Sequence, residues 1–368
     1  MSTASDVGAA TAPSPTEAQL RVAIVGCGGI AHDHLSAIAD LDDVSVVAVC
    51  DSSAALAEFA CDRYATGPAF TDAQAMLDAV PADVVHVLTP PHTHEAICRM
   101  AIEAGCDVVC EKPVAPDAGS AAEVLAHAEA SGVRLIESQN LRYNDVVLQI
   151  DEMIAERRLG KVREVEVSLC LDLTGGHFGD ENLPGPGVRL RGGAVHDFLP
   201  HLVYLFLHYG SGDRGEIEDV HGVVENRSGN LRVGYDSLDV LVTSGSARGR
   251  LHIASDVAPD VFRLRVRGDE GSVEADFYSP YVRFEGGANV GKRAPLEQMI
   301  SGLGLTASGV RNLRDKVLRH GTMHGLGRLL DEFYDAVRVG GAVPVRPEMI
   351  LATARGVDRV LDVAGAGP

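Results

Sequence analysis

Gly26, Gly28 and Ala31 stand in a G-x-G-x-x-G/A arrangement directly after the apolar run RVAIVG. The first glycine permits a tight turn, the second lets the backbone approach a pyrophosphate, and the small third residue lets helix and strand pack closely. The phosphates would meet the positive end of the helix that follows. Asp51 ends the next apolar run, 20 residues after Ala31, where a carboxylate would bond the adenosine ribose hydroxyls. The same charge would repel the 2′-phosphate of NADP, and Ser52, Ser53, Ala54 and Ala55 offer no arginine to bind it, so NAD is the expected cofactor. Arg63 alone could fold back over the ribose, although an exposed helix surface explains it as well.

A second set of groups could handle charge and protons. Asp197 and His201 are four residues apart within the apolar pattern Val195, Phe198, Leu199, Leu202, Val203, so on a helix they share one face. An imidazole titrates near working pH. Pro200 complicates this, because a proline inside a helix removes a backbone bond. Either the helix starts at Pro200, and the same-face argument fails, or it is kinked beside the pair. His196 would point about 100° away from Asp197 and face elsewhere.

These residues need elements to position them. From Arg21 to about residue 140, short apolar runs alternate with helical patterns: RVAIVG, a helix, VSVVAVCD, helices, ADVVHVLTP, a helix ending on Gly105, CDVVCEKP, a helix around Ser120–Ser131, and a strand at Val133–Ser138. Strands that are apolar nearly throughout indicate a parallel sheet covered on both faces. Past residue 140 the character changes. A helix at Asn144–Arg158 precedes KVREVEVSLCLDL, and alternating segments follow at Val220–Glu225, Ser237–Ser244, Ala247–Ser255, Val261–Gly268 and Gly271–Phe277. Turn-rich stretches join them, which predicts an open, mainly antiparallel sheet. Helical segments at about Thr322–Val339 and Glu348–Val363 close the chain. The expected fold class is therefore an α/β Rossmann domain, a doubly wound parallel sheet, followed by an α+β domain. The expected divisions are a disordered tail over 1–20, a dinucleotide-binding domain over 21–140, and a substrate and oligomerisation domain over 141–368 whose last helix packs back on the first.

Composition narrows the partners. At roughly 150 residues per domain, 368 residues suit two domains. With 52 acidic and 32 basic side chains the formal net charge is −20, which repels phosphate backbones and anionic membranes, so neither nucleic acid nor membrane is an expected partner. Apolar runs such as Val44–Cys50 fall far short of the roughly 18 residues of a transmembrane helix. Seven cysteines without a C-x-x-C pair, and a first segment without an apolar h-region or twin arginine, point to a reducing cytoplasm.

Two further segments carry a resemblance. TPPHTHEAICRMAIEAGCDVVCEKPVA, with Glu111-Lys112-Pro113, and its sequel ESQNLRYN resemble signatures of the glucose-fructose oxidoreductase, inositol dehydrogenase and MocA (Gfo/Idh/MocA) family. GGAVHDFLPHLVYL is similar to the family's glycine-rich lead into a helix bearing Asp and His four apart. With the phosphate loop these matches cover about residues 21–210, in the family's order.

The resemblance implies that Lys112, at the carboxyl edge of the sheet, is the active-site lysine that stabilises a developing alkoxide. It implies a Lys112–Pro113 bond that is often cis, which would turn the lysine into the cleft. His201 would be the general base, with Asp197 orienting it or bonding substrate. Gly29, Ile30, Thr89, Pro90, His94 and Glu111, with Gly26, Gly28, Asp51 and Lys112, would line the cofactor. Tyr143, Asn144, His177 and Arg191 are weaker candidates for substrate contacts, as is Arg189, the last three from the Gly- and Pro-rich stretch 172–191.

Other constellations carry less. His32, His34, His92 and His94, or His196, His201 and His208, lack H-E-x-x-H or Cys-rich spacing, so no metal is expected. No G-x-S-x-G is present, and Gly291–Lys292 lacks the rest of a Walker motif. The basic run Arg311–His320 reads as a solvated helix face, a subunit contact or a phosphate contact. The combined reading is an NAD(P)-dependent dehydrogenase, expected to be a homo-oligomer, acting on a CH–OH group of a sugar, sugar derivative or cyclic polyol. Its rivals are a sugar–sugar oxidoreductase that never releases its cofactor and a non-catalytic dinucleotide-sensing regulator.

Overall fold

The computed structural model describes residues 19–173, 189–210, 215–286, 294–318 and 325–365. His177, most of the 172–191 stretch and the last two residues of the basic run lie outside the described residues.

The first half alternates as its patterns predict. In order come β1 (Leu20–Val25), α1 (Gly29–Ala39), β2 (Val44–Cys50), α2 (Ala54–Tyr64), β3 (Ala69–Phe70), α3 (Ala73–Ala79) and β4 (Val84–Val87). They are followed by α4 (His94–Glu103), β5 (Asp107–Cys110), α5 (Ala118–Ser131) and β6 (Leu135–Glu137). Their parallel sheet has the order β3-β2-β1-β4-β5-β6. That order reverses between β1 and β4, and ligands of doubly wound folds bind outside the carboxyl ends of the strands at such a switch point. β4 and β5 are buried at every residue, because helices cover both faces.

The second half holds α6 (Asp145–Ala155), β7 (Val162–Cys170), α7 (Gly193–Gly210), β8 (Asp219–Glu225), β9 (Ser237–Ser244) and β10 (Ala247–Ala254). Then come β11 (Val261–Gly268), β12 (Gly271–Asp276), β13 (Tyr281–Gly286), α8 (Ala294–Leu318), α9 (Leu326–Val339) and α10 (Pro347–Gly365). The seven-stranded sheet, β13-β12-β11-β7-β10-β9-β8, is antiparallel except at β7–β10. That pair is parallel, and the long crossover from β7 to β10 contains α7, as a parallel connection requires. α7 packs on β7 and β10 and buries Val195, Leu199, Leu202, Val203 and Phe206.

Three elements escaped the sequence patterns: β3, only two residues long, β13 and α8. β13 is half-buried throughout, so it lacks a clean alternation. α8 carries Gly302, Gly304 and Gly309, residues that weaken helices. The closing helices tie the halves together: α9 places Leu329, Leu330 and Phe333 in the core of the first sheet, each worth about 1.5–3 kcal/mol. α10 gives Met349 and Ile350 to that core and Val357, Val360 and Leu361 to the second. Among the described residues no helix is long and apolar enough to cross a membrane.

Candidate active site

The phosphate loop lies between β1 and α1. Gly26 has φ +100°, and a Cβ there would lie 2.6 Å from the Leu88 carbonyl carbon, so only glycine lets β1 turn beside the end of β4. A Cβ at Gly28 or Gly29 would meet nothing within 4 Å; this is open space against the backbone. Gly28 is the N-cap of α1 and no side chain caps that end, which leaves first-turn N–H groups for an anion. The half-buried Asp51 carboxylate accepts from Cys27 N and Ser53 N, both at 2.8 Å. It thereby fixes the loop beside the open space, and the residues fit a dinucleotide.

Lys112 follows β5, at the carboxyl edge of the sheet, and precedes a cis peptide to Pro113. Its Nζ donates to Asp197 Oδ1 and to the Asp197 carbonyl, both at 2.7 Å. The two side chains are 13% and 11% exposed, so the ion pair is held largely out of water while one N–H of the ammonium remains for another acceptor. The Phe198 ring centroid is 5.8 Å from the ammonium. α7 begins at Gly193 and continues through Pro200, so Asp197 and His201 do belong to one helix. They are not bonded as a pair. Lys112 takes Asp197, and His201 Nδ1 lies 2.7 Å from the Tyr204 hydroxyl.

Burial, helped by the Lys112 charge, pushes His201 down to about 3, so its ring is neutral at any ordinary pH. Burial also pushes His196 down to about 4; that residue lines a small cavity with Pro113 and with Val357 of α10. Burial alone would raise Glu111, but the hydrogen bond from His34 and the Lys112 charge outweigh it and hold the carboxyl at about 2.

The remaining sequence candidates divide. Thr89 and Pro90 lie at the end of β4, with the Thr93 hydroxyl 2.7 Å from Thr89 Oγ1 and 2.8 Å from Pro90 O. His94 is buried, its Nδ1 2.7 Å from Pro113 O and its Nε2 2.6 Å from Thr89 O. It pins the lysine turn to β4 and offers neither nitrogen to a cofactor. Tyr143 donates to Pro344 O at 3.1 Å, and Asn144 caps α6 through Val146 N, so both hold elements together. Arg191 bonds Asp362 and the Asp358 carbonyl on α10, and Arg189 donates to His92 at 2.8 Å. Sequence reasoning missed Glu137, which is buried and accepts from Val114 N at 2.9 Å and Gln139 Nε2 at 3.1 Å. A carboxylate inside the apolar strand LIE was the available signal.

Comparison with known proteins assigns the two sheets to known domains. Residues 20–139 match a family model described as an oxidoreductase family with an NAD-binding Rossmann fold, and residues 147–274 match the GFO/IDH/MocA C-terminal domain. A D-glucoside 3-dehydrogenase of Escherichia coli is 37% identical over 148 residues, 40% of this chain and 42% of that protein. The chain thus spans less than half the length of the first curated relatives it matches. An inositol 2-dehydrogenase of Paenarthrobacter aurescens is 27% identical over 66% of this chain and 76% of its own. Among solved structures, the WlbA dehydrogenase of Bordetella pertussis, in complex with NADH and UDP-GlcNAcA, shares the fold. Its TM-score is 0.76 at 18% identity, covering 96% of this chain and 97% of that one. Both family models fall on the two sheets in sequence order, and the chain belongs to the Gfo/Idh/MocA oxidoreductase family.

Proposed function

We propose that the protein is an NAD-dependent dehydrogenase that moves hydride between nicotinamide and a secondary hydroxyl, or the matching ketone, of a sugar, sugar derivative or cyclic polyol. The observation that carries this reading is the 2.7 Å bond from Lys112 to Asp197, which joins a cation at the carboxyl edge of the first sheet to the helix bearing His201. The dehydrogenases named above act on a glucoside and on inositol, which supports the substrate class.

When bound, the nicotinamide supplies the hydride acceptor or donor. Every other demand falls on the chain's own side chains. Gly26, Gly28, Gly29 and Ile30 receive the pyrophosphate at the end of α1, Asp51 receives the ribose hydroxyls, and Thr89 and Pro90 form the facing edge. Lys112 has one N–H left for the substrate oxygen, and its charge lowers the cost of the alkoxide that develops there. Asp197 aims the ammonium. His201, whose Nδ1 lies 2.7 Å from the Tyr204 hydroxyl, would take the hydroxyl proton through Nε2. A ring held near 3 is a weak base, so the larger share of the stabilisation falls to Lys112. A homo-oligomer in a reducing cytoplasm completes the reading, on the family resemblance and on seven unpaired cysteines.

The test is a fluorescence titration with NADH and NADPH, followed by a screen of polyols and sugars. Preferential NADH binding, lost in Asp51→Ala, is expected. Binding of neither nucleotide, with none released on denaturation, overturns the reading.

A further inference from the structure

Behind Lys112 runs a line of four buried polar side chains from four parts of the fold. Glu111 follows β5, His34 lies on α1, His86 in β4 and Tyr334 on α9. Glu111 Oε1 is 3.3 Å from His34 Nε2, His34 Nδ1 is 2.9 Å from His86 Nδ1, and His86 Nε2 is 2.8 Å from the Tyr334 hydroxyl. His34, His86 and Tyr334 have no exposed surface. The mechanism above uses none of these three.

The protons on this line can be counted. An ionised carboxylate only accepts, so His34 Nε2 carries a hydrogen. A neutral imidazole has one N–H, so His34 Nδ1 is a lone pair and the facing His86 Nδ1 must donate. His86 Nε2 is then the acceptor, and Tyr334 donates to it. This arrangement satisfies all three contacts with one hydrogen on each ring. The line therefore has a direction, from Tyr334 to Glu111. At its end, Glu111 Oε2 accepts the backbone N–H of Lys112 at 3.3 Å, so the carboxylate grips the chain at the base of the lysine. In the strand Val84-Val85-His86-Val87 a fourth valine would avoid the cost of burying a polar ring; the histidine is the link between α9 and the lysine turn.

We propose that Tyr334, His86 and His34 are positioning residues, a one-way hydrogen-bond chain that holds Glu111 as an oriented carboxylate behind Lys112; the proposal rests on the dehydrogenase reading. Removing the Tyr334 hydroxyl leaves His86 Nε2 without its donor. The His86 and His34 rings then lose their anchor on α9, and the His34 donor to Glu111 is no longer held in one orientation.

The experiment uses the full-length protein, with ¹⁵N-histidine NMR to report tautomers and initial rates with NAD and the best substrate of the screen. The wild type should show His86 neutral and protonated on Nδ1, and His34 protonated on Nε2. Tyr334→Phe should shift the ring ¹⁵N signals of His86 and His34 and lower kcat about tenfold or more, the scale of a bond to a charged group, at unchanged KM and NADH affinity. His34→Leu should lower kcat likewise, and His34→Gln, whose amide restores a donor to Glu111, should recover most of the loss. The proposal is overturned if Tyr334→Phe lowers only the melting temperature, if His34→Gln is no better than His34→Leu, or if His86 carries its proton on Nε2. Absence of turnover in the wild type overturns the dehydrogenase reading and this inference with it, and is distinguishable because it precedes any substitution.

Discussion

Lys112→Met tests the division of labour at the centre of the site. Methionine keeps the length of the side chain and removes its charge, so Asp197, 8% exposed, becomes a buried carboxylate without a partner. Breaking a buried pair costs about 3–5 kcal/mol; both side chains keep roughly a tenth of their surface, which places the loss near the lower end, about 3 kcal/mol. Turnover should fall about 10²–10³-fold, the effect of removing one preorganised donor from a developing oxyanion, or about 3–4 kcal/mol of barrier. NADH affinity should hold, because the phosphate loop rests on Gly26–Ala31 and Asp51. The double variant Lys112→Met with Asp197→Asn then separates two quantities. It removes the stranded charge, so it should recover stability while recovering no turnover. Thermal melts, nicotinamide fluorescence and initial rates measure these in turn, and a chain without tryptophan gives little emission to obscure the second. Turnover within threefold of wild type in Lys112→Met would falsify the mechanism. Recovered turnover in the double variant would show that the single substitution acted through unfolding.

Two pH dependences follow from the buried histidines. With His201 held down to about 3, the acid limb of kcat/KM should show no ionisation near pH 6.5; a limb centred there would mean that His201 is charged by ordinary solvent and that its burial is overstated. Stability should also fall in acid. His86 and His196 are held well below their unfolded value, the second at about 4, so the unfolded chain binds more protons as pH drops below about 6.5. Their contribution is complete above pH 6.5 and is lost on the way down to the folded values. At pH 5.5 each costs about 1.4 kcal/mol relative to neutral pH, and with His201, held down in the same way, the three cost about 4 kcal/mol, opposed in part by Glu137, which burial raises. Chemical denaturation at pH 7.5 and 5.5 measures the difference; equal midpoints would refute it.

How much of this was legible in the sequence varied with the range of the contact. The phosphate loop and Asp51 read directly, because glycine at a forced turn and an acid one strand later are local requirements met within 31 residues. The Asp197–His201 spacing was legible too, and the expected partnership was wrong in detail. Helical spacing predicts which residues share a face, and it says nothing of what approaches that face from elsewhere; Lys112, 85 residues away, claims Asp197. Pro200 left two readings of α7 open because one proline either starts or bends a helix, and packing on β7 and β10 decided for the longer helix. The sheet reading missed the parallel β7–β10 pair for a related reason: alternation reveals a wet face, and strand direction is set by the connection.

Least legible were side chains whose function is to hold others. His94, Tyr143, Asn144 and Arg191 have the polarity of ligand contacts, and each is occupied by a backbone carbonyl, a helix end or a distant carboxylate. Polarity alone cannot distinguish these cases, because a buried polar group must find a partner whether or not a ligand is near. The informative sign is a polar residue where the pattern demands an apolar one. His86 in VVHV and Glu137 in LIE are such residues, and both lead to the lysine turn: His86 through His34 and Glu111, and Glu137 through Val114 N. The cost of burying them lies in the core of the first sheet behind Lys112, so the stiffness of the lysine turn is built from that core outward.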